Sequence, residues 1–401
     1  MLCAAAVLLV LQQPWPAPPW VAGGTSRAED LAITLATLGP GDGVAYMGGH
    51  SALGVIDTKL MEGRLYNFGV VEFSPDLMLS FVLGRLDFYA DEAAIEQTYD
   101  VYRSMDRDVR VQVLNLSPAQ ALKLANALAT GVLPENRTFR YHHFDDNCST
   151  RPRDLIDRVL GGALSRANGA PARMSLREHS RRYTYIFPFL SVWLDYLQND
   201  SVDRKITRYD EGFLPDELER QLDELTVDGQ PVVKQKTVLY TSKSNAVRPR
   251  ESPQWAGWLG VISALAGAAV LLLSRSRKPS ARKTLGLVFV VVGLVWGGSG
   301  LLLFMLGYFT EHLITHGNEN LFFASPLTLA LLPLGVMLFR GHPRAVAGLK
   351  WVTLGLAALA LVGVAVKLLP AFDQANGNVI ALALPLTLAS AIAFTVRRQP
   401  A

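Results

Sequence analysis

Cys148 stands in the run Asp146-Asn147-Cys148-Ser149-Thr150, just ahead of a helix-forming stretch, and a Gly49-His50 dipeptide lies upstream at the head of an apolar run. The only other cysteine, Cys3, falls in an N-terminal apolar segment that is removed or membrane-embedded, so Cys148 has no disulfide partner. A thiol at a helix N-terminus gains thiolate character from the dipole, and first-turn amides can hydrogen-bond an oxyanion. With a histidine as base and then acid, this is the equipment for acyl transfer through a thioester.

Papain-like chemistry also needs a polar residue to orient the imidazole. Asn67, on the strand expected beside His50, has the amide for that role, with Tyr66 and Asp57 as rivals. A lone strand histidine is by default structural; its pairing with a helix-starting cysteine favours the catalytic role. His142, His143, Asp145, Asp146 and Cys148 form a competing, zinc-like cluster. Alternate strand residues point to opposite faces, and no second ligand pair completes a site, so no metal is expected. Asp145 and Asp146 read instead as helix caps.

The elements that must position these residues follow from pattern. Residues 43–57 read as a strand, a glycine break and a second strand, and residues 64–73 as the hairpin partner across a Glu62-Gly63 turn. Residues 109–116 alternate as a further strand, and Ser117-Pro118 opens a helix to about Leu133. Residues 137–144 form a short strand, and 149–159 the helix that follows Cys148.

Charge divides the chain. Of 38 Lys and Arg and 35 Asp and Glu, residues 255–401 hold 11 basic and 3 acidic, leaving the first 254 residues with a net charge of −5. Five apolar runs (255–273, 285–308, 321–339, 351–369 and 379–396) are each close to the roughly 20 residues that cross a bilayer. Arg275, Arg277, Lys278, Arg282 and Lys283 fill one connector, Arg340, Arg344 and Lys350 another, and Arg397 and Arg398 the end; the alternate loops carry Glu311, Glu319 and Asp373. The positive-inside rule puts the basic connectors in the cytoplasm and the domain before Trp255 outside. Residues 2–12 and the small-residue stretch to Gly24 resemble a secretory signal or uncleaved anchor. The expected order is thus 1–24 signal or anchor, 25–240 thiol domain, 241–254 linker and 255–401 membrane domain. Topology accounts for the basic excess of the second half, and no phosphate loop, nucleic-acid module or cofactor motif is present to add a nucleic-acid partner or a cofactor.

Several segments carry a resemblance: GHSALGVID from Gly49, RLYNFGVVEF from Arg64, FVLGRLDFY from Phe81, VQVLNLSP from Val111, YHHFDDNCSTRPRD from Tyr141 and FLPDEL from Phe213. They resemble the Lnb-type periplasmic domain, and the outer-loop pattern EHLITHGNENLFFASP resembles that family's membrane half at His312, Asn318, Asn320 and Pro326. The histidine-before-cysteine order is similar to that of circularly permuted NlpC-type and lecithin:retinol acyltransferase-like enzymes. The implied fold is α+β, a papain-like antiparallel-sheet thiol domain followed by an all-α transmembrane domain of five helices. The implied function is that of a lipoprotein N-acyltransferase of the bacterial inner membrane, its N-terminal domain periplasmic. Cys148 would take an acyl chain from a phospholipid donor and pass it to the α-amine of a lipoprotein's N-terminal cysteine, with His50 as base. Tyr66, Asn147, Thr150, Arg151, Arg153, His312, Asn318 and Asn320 are the implied substrate contacts, the two arginines suited to a phosphate headgroup or to pairing with Asp154 and Asp157. The stretch Tyr183 to Tyr196 reads as packed core or as an element against lipid. A periplasmic cysteine peptidase or amidase and a non-catalytic membrane scaffold remain as alternatives.

Overall fold

The computed structural model describes residues 15–41, 43, 46–71, 75–244 and 249–395. The start of the expected export segment, with Cys3, therefore lies outside the described residues, as do Arg397 and Arg398. The chain divides into two compact units: one of residues up to Phe81, Arg85–Leu176 and Lys205–Arg248, the other of Val82–Gly84, Arg177–Arg204 and Pro249–Ala401. The sequence suggested a single cut near residue 240; by packing, residues 177–204 go with the membrane helices instead.

The first unit is built on an antiparallel seven-stranded sheet. Its strands are β1 (Leu31–Leu38), β2 (His50–Asp57), β3 (Glu62–Val70), β4 (Asp87–Ala93), β5 (Val109–Leu114), β6 (Thr138–Arg140) and, beyond a short β7–β8 hairpin at Thr226–Val227 and Gln230–Pro231, β9 (Val233–Tyr240). The spatial order is β6-β4-β3-β2-β1-β5-β9. The three central strands are covered on both faces, which is why they read as nearly unbroken apolar runs.

On one face Ile33, Leu35, Leu53, Val55 and Tyr66 pack against Leu124 and Leu128 of the helix Pro118–Gly131, Ile156 of the helix Thr150–Val159, and Leu218 and Leu222 of the helix Pro215–Glu224. On the other, Ala36, Leu38, Ala52, Leu65 and Val109 meet Tyr99 and Tyr102 of the helix Ile95–Ser104. Ser117 opens the helix Pro118–Gly131 through a reciprocal capping box with Gln120.

Three local expectations shift. The hairpin turn lies before Glu62, with Met61 left-handed at φ 56°, so that Glu62 and Gly63 already pair in β3. The described residues between Gly43 and Gly49 are turn rather than strand, because the positive φ of Gly49 (78°) breaks the extended path. The expected strand at 137–144 stops at Arg140, and the chain then folds into a loop closed by a His142–Asp146 bridge.

In the second unit, among the described residues, four helices are long and apolar enough to cross a membrane: Ala256–Arg275, Pro279–Phe309, Ala345–Leu368 and Gly377–Thr395. The third expected span is a bent pair, Leu313–Phe322 followed by Pro326–Arg340 at 54°, which makes five if the pair is one span. Pro326 explains the break, since the residue before a proline is pushed out of the helical region. Gly286, Gly293, Gly297 and Gly300 of the second span face this bent element so closely that a β-carbon at Gly300 would stand 2.4 Å from the Ala324 carbonyl oxygen. The second span passes through a π-helical turn at Gly293–Gly297 beside it. Non-helical backbone at membrane depth is tolerated where such protein packing covers it.

The segment 177–204 docks on the loops that the charge pattern puts outside. Asn199 Nδ2 donates to the carbonyls of Leu313 and His316, at 3.0 and 2.8 Å, and Gln374 Nε2 donates to the Gln198 carbonyl at 3.0 Å. Asp195, 1% exposed, receives Arg181 Nε at 2.8 Å and Asn378 Nδ2 at 2.5 Å, and Arg177 bridges to Asp203. Trp193 and Tyr196 pack with Leu303, Phe323, Ala360 and Val379, so much of the aromatic stretch is core of this unit. Both acidic loops thus meet a segment that precedes the first span, which puts them on the same side of the membrane, as the charge rule requires.

Candidate active site

Register sets the histidine and asparagine together. Ala52 pairs with Asn67 across β2 and β3, so His50, two residues before Ala52, is the diagonal neighbour of Asn67 on the same sheet face. The side chains meet accordingly, His50 Nε2 to Asn67 Oδ1 at 3.1 Å, both buried. Asn67 Nδ2 points to the Leu65 carbonyl at 3.5 Å, which leaves Oδ1 as the acceptor. Nε2 therefore carries the proton, and the lone pair of His50 is on Nδ1.

The rival orienting residues are engaged elsewhere. Tyr66 lies on the opposite face, its hydroxyl accepting from Trp20 Nε1 at 3.0 Å, and Asp57 holds Ser26 and the turn amides of Lys59 and Leu60. Gly49 is required just ahead of His50: a β-carbon there would lie 2.9 Å from the Leu38 carbonyl oxygen, and φ is 78°.

Cys148 is buried and free of disulfide, two residues ahead of the helix Thr150–Val159. The residues that follow His50 and Cys148 touch, Ser51 Oγ donating to Ser149 Oγ at 3.4 Å, and Ser149 Oγ in turn donates to the Gly212 carbonyl at 2.8 Å. The cap is neither Asp145 nor Asp146. Asn147 Oδ1 accepts from the amides of Ser149 and Thr150 at 2.8 and 2.9 Å, while Thr150 Oγ1 accepts from the Asn147 amide at 2.7 Å. Asp146 instead pairs with Arg151 at 2.6 Å, and Asp145 with His142 at 3.1 Å. These first-turn amides, expected as an oxyanion site, are thus consumed by Asn147. Its Nδ2 also ties the turn to the carbonyls of His143 and Phe213.

Arg153, which is buried, pairs with Asp154 and lies over Tyr209, so both candidate headgroup arginines are already ion-paired. Asn318 and Asn320, in the second unit, donate to the carbonyls of Leu197 and Tyr196 at 3.0 and 2.9 Å. Their amides clamp the segment 177–204 to the outer loop. His312 sits in the same loop, its amide directed to Thr310 Oγ1.

Two residues that the sequence did not single out complete the surroundings. Tyr102 stacks on His50 with ring centroids 6.5 Å apart and planes 17° apart, and the Arg107 guanidinium lies over Tyr102 at 4.3 Å and over Tyr46 at 4.9 Å. The available signal was slight: Tyr99 and Tyr102 at helical spacing, and an arginine just ahead of an alternating strand.

Burial lowers the pKa of His50 from 6.5 to about 4, with the Asn67 bond opposing the shift and Arg107 adding to it. The folded histidine is neutral wherever the unfolded one is not yet protonated, and between pH 6.5 and about 4 only the unfolded state takes up the proton. Acidification through that window should cost the first unit up to about 3 kcal/mol, and nothing further below it. Thermal unfolding of the purified protein at pH 7 and pH 4.5, against His50→Gln, checks this: the variant should lose less stability on acidification than the parent.

A family model for the Lnb N-terminal periplasmic domain matches residues 19–182, and one for the Lnb transmembrane domain matches residues 257–399. Comparison with curated proteins and with solved structures finds no match. The two family models follow one another in this chain as its antiparallel-sheet unit and its helices do, and cover most of its length; the chain belongs to the Lnb-type family, membrane proteins with a periplasmic N-terminal domain.

Proposed function

We propose that this protein is an envelope lipoprotein N-acyltransferase working through a Cys148 thioester. The observation that carries the reading is the buried His50–Asn67 pair at the start of β2, tied through Ser51 and Ser149 to a buried cysteine at a helix start. Membership of a family of lipoprotein biogenesis and the membrane-spanning unit support a substrate drawn from lipid.

In the first half-reaction His50 Nδ1 takes the thiol proton and Sγ attacks an ester carbonyl of a phospholipid. The tetrahedral intermediate collapses, the C–O bond breaks, and His50 returns the proton to the departing lysophospholipid hydroxyl. In the second, the free α-amine of a lipoprotein's N-terminal cysteine attacks the thioester, an amide forms, and the thiol is restored. A thioester is activated toward amines, so no cofactor is called for.

The test is mass analysis of lipoprotein N-termini in cells lacking other N-acylation, with and without this protein. Conversion of diacyl, free-amine forms to N-acylated ones is expected. Persistence of free amines, with release of cell-wall peptides instead, would replace the transferase with a peptidase or amidase.

A further inference from the structure

The charge rule accounts for the side on which the basic connectors lie, but not for how closely the fold gathers them. In the second unit Val270, Leu285, Leu338, Ala345 and Phe394 share one buried cluster. The ends of the helices Ala256–Arg275, Leu331–Arg340 and Gly377–Thr395 therefore meet the starts of Pro279–Val292 and Ala345–Ala365 at one end of the bundle. That end carries the connectors 275–283 and 340–350, in which every ionisable side chain is basic. The three carboxylate side chains of residues 255–401, Glu311, Glu319 and Asp373, belong to the loops of the opposite end, where Lys367 is ion-paired with Glu319. The positive-inside rule counts Lys and Arg and tolerates carboxylates beside them, so an all-basic rim is a separate feature.

The two connectors touch at Arg282. Its guanidinium lies against the turn residue Gly341, where a β-carbon would stand 2.7 Å from Nη1 and 2.9 Å from Nη2. Its Nε is buried and has no hydrogen-bond partner among the described residues. Lys283 reaches over the ring of Phe339, the residue before Arg340, with Nζ 5.8 Å from the centroid. Arg344 follows in the same turn, three residues after Gly341. The helices Pro279–Val292 and Ala345–Ala365 begin here, and neither has an acidic residue in its first turn. The positive end of a helix dipole opposes such cations, and the cations oppose one another, so the turn is suited to an anion.

The neighbouring apolar surface indicates which anion. Leu287 stands one helical turn beyond Lys283 and Val336 one turn before Arg340, and both are exposed, as is Phe339. These side chains belong to the outer wall of membrane-spanning segments. A phosphate that carries apolar chains can use the cations and this wall together, whereas free phosphate can use only the cations.

We infer that the turn around Gly341 binds the phosphate headgroup of an anionic phospholipid of the cytoplasmic leaflet, held by Arg282, Lys283, Arg340 and Arg344, with its acyl chains along Leu287, Val336 and Phe339. Basic pockets between spans on the cytoplasmic side have the charge and depth for such headgroups. The bound phosphate ties the start of the second span to the end of the bent element, beyond the glycine contacts that already join them. The site lies at the opposite end of the spans from the loops that hold residues 177–204, and it is independent of the acyl-transfer reading.

The experiment is native mass spectrometry of the full-length protein in nonionic detergent, titrated with phosphatidylglycerol, phosphatidylcholine or inorganic phosphate. Phosphatidylglycerol should bind about tenfold or more tightly than phosphatidylcholine, and inorganic phosphate in excess should not displace it. Lys283→Gln should weaken phosphatidylglycerol binding about fivefold, and Arg282→Gln with Arg340→Gln about tenfold or more. Arg277→Gln, which removes an exposed cation of the same connector outside the turn, should change it by less than about twofold.

Equal binding of the two lipids overturns the inference, because no headgroup is then selected. A loss in Arg277→Gln as large as in Lys283→Gln overturns it in favour of diffuse attraction, and displacement by inorganic phosphate overturns it in favour of a phosphate site without lipid. If the double variant does not fold, Lys283→Gln, at an exposed position, decides by itself. The lipid titration and the lipoprotein assay share no step, so failure of one leaves the other to be judged separately.

Discussion

Cys148→Ser is expected to lower N-acylation of lipoproteins at least about 10³-fold, with the protein still inserted in the membrane and its unfolding temperature unchanged. The exchange of sulfur for oxygen leaves the packing of this buried site nearly intact. It removes the nucleophile because a hydroxyl is far less acidic than a thiol, and His50, neutral and with its pKa lowered to about 4, is too weak a base to ionise it. His50→Gln should fall to a similar level. Asn67→Ala should lose about 10- to 100-fold, since the base survives but its tautomer and ring orientation are no longer fixed by the 3.1 Å bond. The measurement is the rate at which acyl chain appears on the lipoprotein amine. Cys148→Ser with activity within tenfold of the parent would remove the thioester from the mechanism.

The largest effect on stability should come from Asp195→Ala, about 3–5 kcal/mol, seen as a markedly lowered unfolding temperature or as loss of folded protein in detergent. Asp195 is the anion between Arg177 and Arg181, with nitrogen–oxygen distances of 3.5 and 2.8 Å, and it also accepts from Asn378. Fully buried Arg177 would keep only Asp203 of its two carboxylates, while Arg181 would lose the carboxylate that its Nε reaches and Asn378 its acceptor. The contrast is Glu96→Ala, whose exposed pair with Arg103 at 3.8 Å should change stability by less than about 0.5 kcal/mol. Equal effects from the two would mean that the 177–204 segment is not held by this cluster.

The nucleophile and base were legible because the residue types are scarce and the pattern is local. One described cysteine stands at a helix start and one histidine follows two glycines, and β-alternation then selects Asn67 over Tyr66. The cap was not legible in the same way. Asp145, Asp146 and Asn147 are all good capping types at neighbouring positions, and only the loop closed by His142 and Asp146 decides that Asn147 points at the amides. Tyr102 and Arg107 escaped notice because the packing of the helix Ile95–Ser104 on the sheet and the pairing of β1 with β2 and β5, not spacing, bring them to His50. The membrane spans followed from length and apolarity, but the third is bent at Ser325-Pro326, a dipeptide visible in the sequence whose effect a hydropathy window averages away.

The docking of residues 177–204 onto loops far downstream has a consequence for biosynthesis. Asp195 waits for Asn378, and Gln198 for Gln374, which leave the ribosome 183 and 176 residues later. Until those residues are in place, Trp193, Tyr196, Asp195 and Gln198 lack downstream partners that bury them, although the residues around Cys148 precede them in the chain. The sheet unit can assemble while the spans are still being made, and the second unit closes only once Gln374 and Asn378 have followed. A chain interrupted after residue 369 would thus leave an upstream aromatic and arginine-rich segment bare on the outer side of the membrane, open to proteases and chaperones, with its defect appearing nearly two hundred residues before the break.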